Sequence, residues 1–181
     1  MADRIVLGRP EASECNEYYF LYIDRVPTGD VLGLLAEQLE STAEFLLGLE
    51  ASRLDYRYAP GKWSVKEVVG HLIDVERTFS YRAMCGARNE PADLPSFEQE
   101  PYVENSRYAV RPIEHIVREY RTTRAATLAL FDSFDEDEWM RPLKACGMDF
   151  VTRVFPFILA GHEIHHMGVI EEKYLVGSFP L

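Results

Sequence analysis

The segment Gly161-His162-Glu163-Ile164-His165-His166 gathers three of the chain's five histidines into six residues. Phe155, Ile158, Leu159, Val169 and Ile170 recur around it at helical spacing. On a wheel of about 100° per residue, His162 and His166 fall in the middle of that apolar stripe, and His165 lies roughly 80° away at its edge. Residues at i and i+4 stack on one helical face, so the two imidazoles point the same way. Side by side on a buried face, both must stay neutral and find partners for two ring nitrogens each. A packed, hydrogen-bonded pair is one solution. A divalent metal is the other, since zinc and its neighbours take neutral imidazole nitrogen at about 2.0–2.1 Å. The i, i+4 spacing favours the metal, and a third ligand must then come from elsewhere in the chain.

The same residues match H-E-x-x-H, in which two histidines hold zinc and the glutamate is a protease's general base. That reading is weak here. Glu171 and Glu172 lie on the same helix and cannot readily fold back to complete the site, and no H-x-x-G-x-x-H extension follows.

Four amphipathic helices are expected to position these groups. Pro27-Thr28-Gly29-Asp30 reads as a turn ending in an N-cap. Val31, Leu35, Leu39, Thr42, Leu46 and Leu49 then mark one buried stripe over 31–49. Ser64-Val65-Lys66-Glu67 is a capping box that opens a second helix. Its stripe is Val65, Val68, Val69, Leu72, Val75, Phe79 and Ala83. His71 sits on one edge of this stripe, where a bundle helix can still face the central cavity. Glu76 falls within it and is costly unless paired; an ion pair with Arg82 or Arg118 is its structural explanation, a role at a metal the other. Residues 89–111, with Pro91, Pro95 and Pro101, are loop-like and long enough to cover one end of a bundle and shape a pocket. A third helix opens at Pro112 with Ile113, Ile116, Val117, Tyr120, Thr127 and Phe131 on its buried face and His115 outside it. The acidic run Asp135–Glu138 fits helix-start chemistry. The fourth helix spans about 150–174, with Pro156 kinking it or setting its true start and Gly177 as its stop. No strand series stands out, so the fold expected is all-α, a four-helix bundle, as one domain over 1–181. Its first 29 residues are expected to be irregular and to pack on the bundle, with Tyr18–Ile23 as packing material.

Composition narrows the function classes. The net charge is −11, which argues against unaided binding of nucleic acid. Nearly half the residues are hydrophobic (47%), enough for a packed core. Cys15, Cys85 and Cys146 are odd in number and far apart, which fits a reducing compartment and a cytoplasmic protein. No stretch reads as a signal peptide or a membrane span.

The segments Lys62–Arg77 and Gly161–His166, with Arg9-Pro10 through Tyr22-Ile23 and the arginine-rich third helix, resemble the DinB/YfiT-like superfamily over nearly the whole chain. The resemblance implies an up-down-down-up bundle, often a homodimer, with a divalent metal held by His71, His162 and His166. His165 matches a position that is not a ligand. Zinc or nickel is the expected metal, because imidazole suits both. Three neutral ligands leave a coordination position open. Some characterised members are thiol-dependent transferases and isomerases using low-molecular-weight thiols, and others are described as metal-dependent hydrolases. The implied function is therefore a metal-dependent enzyme acting on a small molecule, with Glu163 or Glu76 as candidate general bases. A metal-loaded binding module without turnover and a purely structural bundle are the alternatives. Where many members carry Arg-Gly-Gln-Ile after the last histidine, this chain has Met167-Gly168-Val169-Ile170, which leaves the subfamily's chemistry open.

Overall fold

The computed structural model describes residues 5–175. Four long helices form the frame: α1 (Val31–Leu47), α2 (Val65–Ala87), α3 (Ile113–Phe131) and α4 (Val154–Val169). Each start has a local cause. The Asp30 carboxylate caps α1 by accepting the Leu32 N–H at 3.0 Å. Ser64 and Glu67 form the expected capping box on α2. Pro112, in an extended conformation, is the N-cap residue of α3 rather than its first turn. Pro156 is the third residue of α4, where its missing N–H has no intrahelical partner to lose. The proline therefore sets the start of that helix near Val154 and does not kink it. A six-residue π turn, Ile170–Leu175, continues α4. The expected stop at Gly177 lies outside the described residues.

The helices run up-down-down-up. Arg121 of α3 bonds Glu40 of α1 while Arg124 reaches Leu35, so these two helices are antiparallel. Gln38 meets Ala160 and Thr42 meets Glu163, so α1 and α4 are parallel. Phe79 packs on Phe155 and His71 on His162, which sets α2 against α4 in opposite directions. Since α3 opposes α1, α4 follows α1 and α2 opposes α4, α2 and α3 run the same way, joined side by side through Arg77–Glu119 and Glu76–Arg124. Around the bundle the order is α1-α3-α2-α4, and sequential helices stand mostly diagonal to one another.

The all-helical expectation misses one element. An antiparallel hairpin, β1 (Pro142–Ala145) and β2 (Met148–Val151), joins α3 to α4. Its turn places Cys146 and Gly147 at positive φ, 58° and 72°, and strands of four residues give too short an alternation to stand out in the sequence. The acidic run is a capped turn, as expected: Asp135 and Glu138 form a second capping box. Residues 17–23 are short helical turns, Glu17–Tyr19 and Phe20–Ile23, and the second lies along α4. Gly161 permits that approach, since a Cβ there would stand 2.0 Å from the Tyr22 carbonyl oxygen. The connection 88–112 carries a short helix, Gln99–Asn105, and a 3-10 turn, Tyr108–Val110. Among the described residues no helix is long and apolar enough to cross a membrane.

Candidate metal centre

His162 and His166 stand one turn apart on α4, and His71 reaches them from α2. His71 is 2% exposed and His162 6%; His166 is half-buried. The Nε2 atoms of His71 and His162 are 3.2 Å apart, and those of His166 and His162 3.1 Å. One ligating nitrogen from each of the three lies within 4.8 Å of the others. A neutral imidazole nitrogen either donates or accepts. His162 Nε2 therefore cannot make a full hydrogen bond to both neighbours. A shared cation removes the conflict: two imidazole nitrogens at about 2.0–2.1 Å from a tetrahedral metal stand about 3.3 Å apart. Donor type, convergence and spacing all fit a divalent ion.

Burial sets the charge state. It pushes the His71 imidazole down to about 4, against an opposing pull from Glu100. It pushes His166 down to about 3, helped by His71 and His165. It also depresses His162 well below the ordinary imidazole value, with His166, His71 and His165 adding repulsion. The neutral, ligating form is thus the resting one at neutral pH. Aromatic walls fix the rings. Trp63 lies 5.0 Å from His71 between centroids, and Tyr22 stands edge-on to His162 at 5.0 Å. His165 packs against Tyr22 and His166 at the edge of the group; His115 is exposed on α3.

Beside the histidines on α4 lies a buried ionic cluster. Arg124, 1% exposed, grips Glu76 with Nε and Nη2 at 2.8 and 2.9 Å and reaches Glu163 at 2.6 Å. It also donates to the Leu35 carbonyl at 3.0 Å. The other Glu163 oxygen accepts from Thr42 at 2.7 Å and from Tyr120 at 2.9 Å. Burial alone would weaken the guanidinium's charge, but Glu163 and Glu76 hold it firmly protonated. Glu76 thus pairs with Arg124, not with Arg82 or Arg118. The pattern held that signal: Arg124 sits between Tyr120 and Thr127 at the spacing of the buried face. Glu163 and Glu76 are committed to this cluster and line neither cavity beside the histidines.

Those cavities flank the centre. One, of about 310 Å³, opens at His162 between Tyr22, Phe79, Arg82 and Phe97. The other, of about 290 Å³, opens at His166 beside Trp63, Lys62 and Tyr174. Gln99 and Glu100 line both. Tyr22 therefore belongs to the site, and Tyr18 and Tyr19 line the same cavity; Tyr19 and Ile23 are also buried core residues, as expected of the patch. No periodicity marks Tyr22 or Glu100, because each is delivered by a connecting segment.

A four-helix frame that converges three neutral imidazoles beside open cavities defines a helical bundle suited to binding a metal. The chain belongs to the DinB superfamily, whose family model matches residues 34–170. It is 25% identical, over 68% of its length and 70% of the relative's, to a Geobacillus kaustophilus protein provisionally named a metal-dependent hydrolase. Its fold is similar to that of YfiT from Bacillus subtilis, described as a probable metal-dependent hydrolase with an unusual four-helix bundle topology. That likeness has a TM-score of 0.63 at 18% identity and covers 91% of this chain and 90% of YfiT.

Proposed function

We propose that the protein is a metal-dependent enzyme acting on a small molecule, with His71, His162 and His166 as the ligands of a divalent cation. The reading rests on the Nε2 atoms of these three residues converging at 3.1–3.2 Å beside two cavities. A cation held there would supply Lewis acidity and lower the pKa of a coordinated water or thiol. The chain's own contribution is orientation. Trp63 and Tyr22 brace the rings, and burial keeps them unprotonated. The ionic cluster on Glu163 fixes the α4 backbone beside His162. Hydrolysis is the reaction class the relatives' names favour. Group transfer between a low-molecular-weight thiol and an electrophile is a second reading, favoured by two separate cavities meeting at one centre.

The ligand set is tested by metal analysis. His71→Ala, His162→Ala and His166→Ala should each drop bound zinc or nickel below about one-tenth equivalent, whereas His165→Ala should keep it within the roughly 10–100-fold affinity loss of an outer-shell change. Full metal content in His71→Ala would overturn the set. Silence of the metal-loaded protein on ester, amide and thiol-conjugation panels would leave a binding module instead.

A further inference from the structure

We propose that Glu100 is the carboxylate that faces the open side of the three-histidine centre and takes the proton of the attacking nucleophile. The inference rests on the metal-dependent reading above and names the group that reading lacks. Both carboxylates suggested by the sequence are spent: Glu76 and Glu163 are tied to Arg124 in the core. Glu98 and Glu100 are the carboxylates that line the two cavities. Glu98 lines only the one at His162, whereas Glu100 lines both. Its charge is near enough to act on the His71 imidazole. No hydrogen bond or ion pair ties it to another described side chain, and it is exposed, so substrate and solvent can reach it. It rides on the short helix Gln99–Asn105. That segment is pinned below by Leu94, which pairs with Lys144 and Cys146 of the hairpin, and above by Tyr108 against Gly70 of α2.

In hydrolysis of an ester, Glu100 would accept a proton from water as the water oxygen bonds the acyl carbon. The carbon–alkoxy bond then breaks, and the leaving oxygen takes that proton back from the Glu100 carboxyl. Acid and alcohol leave, and the carboxylate is regenerated. With a thiol as nucleophile the same proton comes from sulfur; on an aryl chloride the carbon–sulfur bond forms, chloride leaves from the ring carbon, and Glu100 releases its proton to solvent.

The test compares wild type with Glu100→Gln and, as control, Glu98→Gln, each loaded with cobalt(II) so that the visible spectrum reports the centre. Glu100 is not a ligand, so cobalt affinity should stay within about threefold of wild type. Removing a negative charge from the open face should tighten azide binding by roughly threefold to tenfold, and Glu98→Gln should do so less. On 4-nitrophenyl acetate, or on glutathione with 1-chloro-2,4-dinitrobenzene, Glu100→Gln should lower kcat by about 100-fold or more while KM barely moves. Unchanged azide affinity overturns the placement, and tightened azide with unchanged kcat overturns the proton transfer. A wild type that binds cobalt but turns over neither probe defeats the enzymatic reading, and the azide comparison still decides where Glu100 faces. A wild type that binds no cobalt defeats both.

Discussion

Arg124, on α3, ties the core to each of the other three long helices. Its guanidinium, fully out of solvent, is satisfied by two carboxylates and a backbone carbonyl from three other helices. A lysine cannot reproduce that fork, because its ammonium has no planar pair of donors for Glu76. Removing the charge strands Glu76 and Glu163 in an apolar interior, the costly way to break a buried pair. Arg124→Leu should therefore lose about 3–5 kcal/mol of stability in urea titration, enough to unfold a marginal domain. A midpoint close to wild type would mean the two carboxylates escape to water. The histidines next to this cluster were legible from spacing alone, because both on α4 share one face. His71 was not settled by its own helix: an edge position faces either the cavity or solvent, and only the packing of α2 on α4 decides.

At the scale of elements, helix starts were the readable features and the connections were not. Caps are local chemistry, so Asp30, Ser64 and Asp135 announce themselves within four residues. The α2 box shows what such a start contributes. The Glu67 carboxylate accepts from the Ser64 N–H at 2.7 Å and pairs with Arg57 at 2.7 Å. Burial alone would raise its pKa, yet these bonds hold it below the ordinary 4.5. Between those two values the folded protein binds fewer protons than the unfolded chain. The stabilisation is therefore complete above about pH 4.5 and fades as pH falls through the folded value. Glu67→Gln should cost about 1 kcal/mol at pH 7, and the gap should narrow by pH 3 in matched urea melts. A gap that widens in acid would contradict this account. The hairpin and the Gln99–Asn105 helix were unreadable for the opposite reason, since long-range contacts decide them. Leu94 bridges Ala145, and nothing near either residue in sequence predicts it.

The arrangement of the whole molecule explains why that connection exists. Helices α2 and α3 are parallel neighbours, so the chain must travel back along a helix of about 34 Å before starting again. About ten extended residues would suffice, and residues 88–112 exceed that. The surplus is spent over the histidines, where it supplies Gln99 and Glu100. The arginine that touches all three other helices has a further consequence, for the route by which the chain comes apart. Peeling off α1, α2 or α4 alone would leave a charge or a carbonyl dehydrated and orphaned, so half-assembled bundles are penalised. Denaturation should then proceed in a single all-or-none step, with far-ultraviolet ellipticity and tryptophan emission tracing one superimposable transition. Two separated curves would show that a sub-bundle survives without its keystone.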